Sequence, residues 1–184
     1  MTEMPANNLL EYLLKTLSVL PEIQEEAEAI QEILAILDNP DNGGGATYSL
    51  FFGSQLGQPF YAVALDNRLT ERMNSPENLG EAIQGFLARN RRLLSHPRCC
   101  VGIWIGINPD GVRQLFLDVA VLVYQEAVAR DFGVESDQIA IFNLQAGMEI
   151  DMGGTGFPVI LLAPAWERLQ ELERQDRVGH EKGD

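Results

Sequence analysis

Cys100-Val101-Gly102-Ile103-Trp104-Ile105 is followed by Asn108-Pro109-Asp110-Gly111, and then by Leu115-Phe116-Leu117-Asp118-Val119-Ala120-Val121-Leu122-Val123. Two runs of β-branched and aromatic residues flank a four-residue turn signal, which predicts a strand, a turn and a second strand. The second run is almost continuously apolar, as expected of a central strand covered on both faces. Only Asp118 breaks it. A carboxylate in such a strand must be ion-paired, hydrogen-bonded or at a sheet end, because its isolated burial is costly. Arg113, Arg98 and the group Arg89, Arg91 and Arg92 are the candidate partners.

Before this pair, Ser75-Pro76-Glu77-Asn78 reads as a helix start, with Ser75 as N-cap and Pro76 at the first helical position. Leu79, Ile83, Phe86, Leu87 and Leu94 continue as one apolar stripe to about Ser95, and Pro97 stops it. Further upstream, Thr47–Phe52 and Phe60–Leu65 read as strands joined into a hairpin by the Gly53–Pro59 turn. Leu69 and Met73 extend that sheet or cover its edge. Downstream, Glu126–Phe132 predicts a short helix capped by Gly133. Gln138–Phe142 predicts a strand, with Glu149 and Ile150 as its pairing partners. A glycine loop, Gly153–Gly156, precedes an edge strand over Pro158–Leu162. Pro164 then opens a last helix carrying Trp166, Leu169 and Leu172, and the chain is expected to fray from Arg174.

The front of the chain is helical. Leu9, Leu10, Leu13, Leu14 and Leu17 recur at helical spacing, Pro21 interrupts, and Ile23, Ala27, Ile30, Leu34 and Leu37 form a second stripe. Glu22, Glu25 and Glu26 sit in that helix's first turn, where the dipole favours anions. The resulting order, ααββαββαβ(β)α, predicts an α+β fold: a mostly antiparallel sheet with helices on one face, preceded by an N-terminal helical hairpin. The expected divisions are an acidic hairpin with a Gly-rich connector (1–45), an α+β core (46–163), and a C-terminal helix with a frayed tail (164–184).

The chain has 184 residues, of which 46% are apolar and 22% charged. This is ordinary globular usage and excludes disordered, collagen-like and disulfide-stapled chains. The net charge is -14. Such a surface repels phosphate backbones and anionic membranes, so direct nucleic-acid and membrane partners are not expected. Residues 1–45 hold nine acids and one base, Lys15, so the acidity is concentrated there. It reads as a solvated face, as an acidic docking surface or as a mimic of nucleic-acid charge. There is no apolar run of membrane-spanning length, and the opening Met-Thr-Glu-Met-Pro has no basic segment leading into an apolar one, so no secretory signal is expected. Cys99 and Cys100 are adjacent and would point to opposite faces of a strand, which suits two free thiols in a reducing cytoplasm.

Catalytic signals are few. The histidines are His96 and His180, with no metal-binding spacing of histidines and cysteines, so no metal or cofactor is expected. Ser54, in Gly53-Ser54-Gln55-Leu56-Gly57, lacks the nucleophile-elbow pattern and reads as a β-turn. Cys99 or Cys100 with His96 would make a thiolate pair, but small buried or half-buried residues opening a strand is the plainer reading. Gly153, Gly154 and Thr155, with Gly156, offer amides and a hydroxyl to an anion, yet no lysine follows and Glu149 and Asp151 stand beside them; the alternative is a plain turn. Arg89, Arg91, Arg92, His96 and Arg98 form a basic patch for a partner's acids or for the chain's own front helices. Asp118 is a structural acid, or a ligand-binding or metal-binding one with Asp137 or Asp151 brought near by folding, although no spacing supports a two-acid metal site.

Phe86-Leu87, Asn90, Leu93-Leu94, Pro97 and Gly102-Ile103-Trp104 form a pattern that continues through Leu117-Asp118-Val119, Glu126-Ala127 and Gln138–Asn143. It resembles a small α+β module of uncharacterised bacterial and phage reading frames, over roughly residues 86–144. In that module an acid usually stands where this chain has Asn143. The resemblance implies no activity; it points to Trp104, Asp118 and Gln138 as residues that matter for fold or site. The expectation is therefore a non-catalytic cytoplasmic interaction or regulatory protein, self-associating or binding a protein partner. The alternative is a small-molecule binder or enzyme with a site near Asp118, Trp104 and the 153–156 loop.

Overall fold

The computed structural model describes residues 26–39, 44–74, 78–107, 112–160 and 162–181. Its elements are α1 (Glu26–Asp38), β1 (Gly45–Ser49), β2 (Gly53–Ser54), β3 (Tyr61–Ala64), a 3₁₀ turn (Asn67–Leu69), β4 (Glu71–Asn74), α2 (Leu79–Leu94), β5 (Cys99–Ile107), β6 (Arg113–Val123), α3 (Glu126–Glu135), β7 (Ala140–Asn143), β8 (Met148–Asp151) and α4 (Ala165–Glu181). The fold is α+β. The antiparallel strands run in the order β2-β1-β5-β6-β3-β7-β8, with β4 also paired to β6. Of the expected N-terminal hairpin, α1 is the second arm; the stripe Leu9–Leu17 lies outside the described residues.

The strand period of two sorts the sheet's side chains. Leu115, Leu117, Val119, Val121 and Val123 of β6 share a face with Val101 and Ile103 of β5, Tyr48 of β1 and Val63 of β3. The helices cover this face. Ala29, Ile30 and Ile33 of α1, Ile83, Phe86, Leu87 and Leu94 of α2, Ala129 and Phe132 of α3, and Leu169 and Leu172 of α4 all enter one buried cluster. The side chains between them, Phe116, Asp118, Ala120 and Leu122 on β6, point the other way. There Ala120 and Leu122 meet Phe60, Ala62, Cys100 and Leu144 in a second, smaller cluster. Cys99 and Cys100 accordingly enter different clusters, and both are buried.

Several local expectations are corrected. The 47–65 hairpin does not form: β1 pairs with β2 and β5, and β3 pairs with β6 and β7. The Gly53–Pro59 turn signal is satisfied by the small β2 return instead, after which the chain crosses to the far side of β6. The N-cap of α2 is Asn78, not Ser75; its Oδ1 accepts from the Glu81 amide at 3.2 Å. Gly133 lies inside α3, which runs on to a cap at Ser136; a Cβ on Gly133 would sit 3.0 Å from Ile141 Cγ2. No described residue of the 158–162 stretch is in a strand, and the last helix continues to Glu181. β6 is central and is buried on both faces from Val119 to Val123, while no described helix packs over Phe116 and Asp118.

β3 and β4 lie along the same flank of β6. Ala64 stands opposite Ala120 and Glu71 opposite Leu117, so residues 65–70 span a gap that β6 crosses with 118 and 119 alone. Leu65 keeps the ladder by donating to the Val119 carbonyl at 2.8 Å. The rest of this detour is the 3₁₀ turn, capped by Asp66, whose carboxylate accepts from Arg68 N at 2.9 Å. Asn67, buried, donates to the carbonyls of Ser136 and Phe157. Arg168 of α4, also buried, donates to the Leu65 carbonyl at 3.0 Å and to Ser136 Oγ at 2.5 Å. The detour is therefore fixed from both sides by polar contacts, as buried polar groups require.

Candidate functional site

The sheet face that no described helix covers curls around a cavity of about 430 Å³. Its floor is paved with small residues: Ala62 and Ala64 of β3, Gly102 of β5, Ala120 of β6 and Ala140 of β7. Trp104, Phe116 and Phe142 form aromatic walls. One end is closed where the 55–60 and 144–147 loops meet; Gly57 donates to the Leu144 carbonyl at 2.8 Å and Leu144 to the Phe60 carbonyl at 3.0 Å. Trp104 lies over Gly106, where a Cβ would meet the indole at 3.2 Å, and its ring centroid is 4.8 Å from that of Phe116. A glycine two residues on is thus what lets the indole lie flat along the strand.

Asp118 stands in this floor, directly across from Gly102. The detour between β3 and β4 brings Thr70 to it, and the Thr70 hydroxyl donates to Asp118 Oδ1 at 2.5 Å. Burial pushes the carboxyl above the usual carboxylate range; the Thr70 bond and the nearby Arg72 charge hold part of that rise back. Arg72, on β4, has its guanidinium 5.5 Å from the Phe116 ring centroid and 5.4 Å from that of Phe157, and it donates to the Gly156 carbonyl. None of the arginines expected to neutralise Asp118 does so. Arg98 donates to the Leu122 carbonyl, and Arg89 pairs with Glu71.

Gln138 borders the same cavity in a structural role. Its Oε1 accepts from the Ala64 amide at 3.1 Å and its Nε2 donates to the Ala64 carbonyl. β7 pairs with β3 only at Tyr61 and Ala62, so this side chain replaces a strand residue opposite Ala64.

The glycine loop does not serve as an anion cradle. Its amides are committed inside the chain: Gly153 to Asp151 Oδ1, Gly154 to the Gln138 carbonyl, Thr155 to Asp137 Oδ1 and Gly156 to the Asp137 carbonyl. The Thr155 hydroxyl also donates to Asp137, which lowers that carboxyl's pKa. A Cβ on Gly154 would lie 2.3 Å from the Gln138 carbonyl oxygen, so close backbone packing accounts for the glycine. Gly156 alone of this loop lines the cavity. Asp137 and Asp151 are engaged with the loop and do not join Asp118; the second acid at the cavity is Glu149.

The basic patch is spread over internal contacts. Arg91 pairs with Glu26 of α1, which is the internal docking of acidic helix on arginine-rich helix. Arg92 lies over Trp166, and His96 Nε2 meets Glu173 at 3.3 Å while its ring packs edge-on against Trp166. Burial lowers the His96 pKa, with Glu173 opposing and Arg98 reinforcing the shift. Burial pushes the Cys99 thiol up to about 12 and that of Cys100 well above its usual value, which keeps both protonated and unsuited to act as thiolates. Ser54 lines the cavity rim without a histidine beside it. Among the described residues no three His, Cys, Asp or Glu side chains gather as a metal would need, and no helix is long and apolar enough to cross a membrane.

Of the residues singled out in the sequence, the cavity brings together Asp118, Trp104, Gln138, Ser54, Glu149 and Gly156. Thr70 and Arg72 were missed; their one signal was the alternation of Glu71, Arg72 and Met73 in a stretch expected to extend the sheet. Comparison with protein-family models, with curated proteins and with solved structures finds no match.

Proposed function

We propose that this chain is a non-catalytic binding protein whose open sheet face holds a small, largely apolar molecule. One observation carries this reading: a cavity of about 430 Å³ sits on the only large sheet face that no described helix covers. That volume lies within the range of about 300–1,000 Å³ typical of small-molecule sites, which are likewise apolar with a few placed polar groups. The polar groups here are two carboxyls, a guanidinium, two amides and hydroxyls, and no histidine or cysteine lines the cavity beside them. Such a set suits holding a ligand better than moving protons through a reaction.

The test uses Trp104 as reporter. The chain has two tryptophans, so Trp166→Phe leaves Trp104 alone. Titration with uncharged, non-fluorescent probes such as cyclohexanol and 1-hexanol is expected to shift its emission saturably. Gly102→Leu, which fills the floor, is expected to abolish the shift. An unchanged shift in Gly102→Leu, or none in the parent, counts against the reading.

Contact with a protein partner or a second copy is the second reading. Phe157 and Ile160, 64% and 86% exposed, favour it. Light scattering on the full chain separates the two: a stable dimer lost in a Phe157→Ser, Ile160→Ser double variant would put this reading first.

A further inference from the structure

We propose that the group this cavity recognises is an ammonium: the occupant is a free apolar amine whose N–H donors meet Asp118 and whose body lies on the Gly102–Ala120 floor against Trp104 and Phe116. This rests on the binding reading above and adds the ligand's chemistry to it.

The hydrogen bonding of Asp118 is half complete. Oδ1 accepts from Thr70, and Oδ2 receives no hydrogen bond from any described residue. Asp118 is half-buried and lines the cavity, so an oxygen that no described residue engages is an open acceptor for a ligand's donor. No described cation forms a contact ion pair with it. Arg72, the nearest, is turned toward the Gly156 carbonyl and held between two phenyl faces. A hollow remains beside Asp118 because the residue across from it, Gly102, has no side chain.

Charge selects the donor that fills this hollow. The charged side chains lining the cavity are Asp118, Glu149 and Arg72, two acids against one base, in a chain of net charge -14. That field concentrates cations and repels anions. The walls agree: indole and phenyl faces attract cations, and Arg72 shows that Phe116 already accepts one. An ammonium would form a charge-assisted hydrogen bond to Oδ2, the stronger kind, where an alcohol forms only a neutral-donor one. The closed end at Leu144 and Phe60 favours a free molecule over a side chain presented by a longer polypeptide.

The experiment titrates the full-length Trp166→Phe chain with four probes of one size class: 2-phenylethylamine, 2-phenylethanol, 3-phenylpropionate and lysine blocked at both ends. The amine is expected to bind about tenfold tighter than the alcohol, and the carboxylate more weakly than either. In Asp118→Asn the preference for amine over alcohol should fall to within about twofold while alcohol binding persists. In the parent chain that preference should grow with rising pH as Asp118 loses its proton; this arm needs no substitution at the site. Equal affinity for amine and alcohol, or tightest binding of the carboxylate, overturns the ammonium assignment and leaves the binding reading standing. Tighter binding of blocked lysine than of phenylethylamine overturns the choice of a free amine. No binding of any probe overturns both proposals.

Discussion

The two faces of the sheet are built from the same strands, in the same register, and differ in what lies on them. Odd positions of β6 from Leu115 to Val123 carry leucine and valine and are covered by helices from four places in the chain. Even positions carry Phe116, Asp118, Ala120 and Leu122; the first three line a cavity, and Ala120 and Leu122 join the smaller buried cluster. Helix burial on one face supplies the stability; the other face is thereby free to keep a half-satisfied acid, small floor residues and exposed aromatics that a core would not tolerate. Burial at about 25 cal/mol per Å² of apolar surface makes the first face indispensable; on the second, only the smaller cluster around Phe60, Leu122 and Leu144 is buried in that way.

The hardest test of that contrast is truncation on each side. Phe86→Ala, inside the helix-covered cluster, is expected to cost about 3–5 kcal/mol, read by urea denaturation. Trp104→Ala, whose side chain is 40% exposed, should cost less than about 1 kcal/mol. Equal losses would mean that the open face carries structural load and the division of labour is wrong.

A smaller loss is expected at the seam. Arg168→Met removes the donor to the Leu65 carbonyl and Ser136, and leaving buried acceptors unpaired costs about 1–3 kcal/mol. Because those contacts hold the detour that presents Thr70 to Asp118, ligand affinity should fall along with stability; a loss of stability alone would separate the seam from the site.

Filling the floor should do the reverse. Gly102 has ordinary strand backbone, and a Cβ there would make van der Waals contacts of 3.4 and 3.5 Å with Ala120 and Asp118. Gly102→Leu is expected to leave stability unchanged or raise it by up to about 1 kcal/mol, since glycine weakens strands. A clear loss of stability would show that the hollow is needed for folding.

The subtlest difference is in pH dependence. His96, on the helix side, has its pKa lowered by burial from the usual 6.5. The unfolded chain therefore binds more protons in that window, and stability falls as pH drops below about 6.5. Asp118 has its pKa raised by burial from 3.8. Here the folded chain binds more protons, and stability falls as pH rises from 3.8 through the elevated value. Thermal melts should thus show His96→Gln flattening the acid-side loss and Asp118→Asn flattening the opposite slope. Parallel changes in the two variants would remove the distinction.

The covered face was the legible one. α2, β5, β6 and the pairing of β7 with β8 follow from apolar spacing and turn residues, which record local geometry and burial together. The 47–65 hairpin was misread because Gly53–Pro59 specifies that the chain turns, not which strand it meets afterwards, and β3 finds β6 some 60 residues away. On the open face, Asp118 announced itself as an acid in an apolar run. Its partner did not, since Thr70 reaches it only through a detour that no periodicity encodes. The glycine loop looked like a ligand site because glycine composition reports close approach without saying whether a ligand or the chain's own backbone comes near.

The detour at residues 65–70 sits between two ladder segments whose registers are set separately, by Ala62–Leu122 pairing on one side and Arg72–Phe116 pairing on the other. Changes of length or composition at 66–69 would therefore be absorbed locally, with neither segment forced to slip. The scaffold and the group that greets Asp118 are in that sense separately editable, and the same sheet offers a frame on which cavities of different preference can be written by exchanging one short turn.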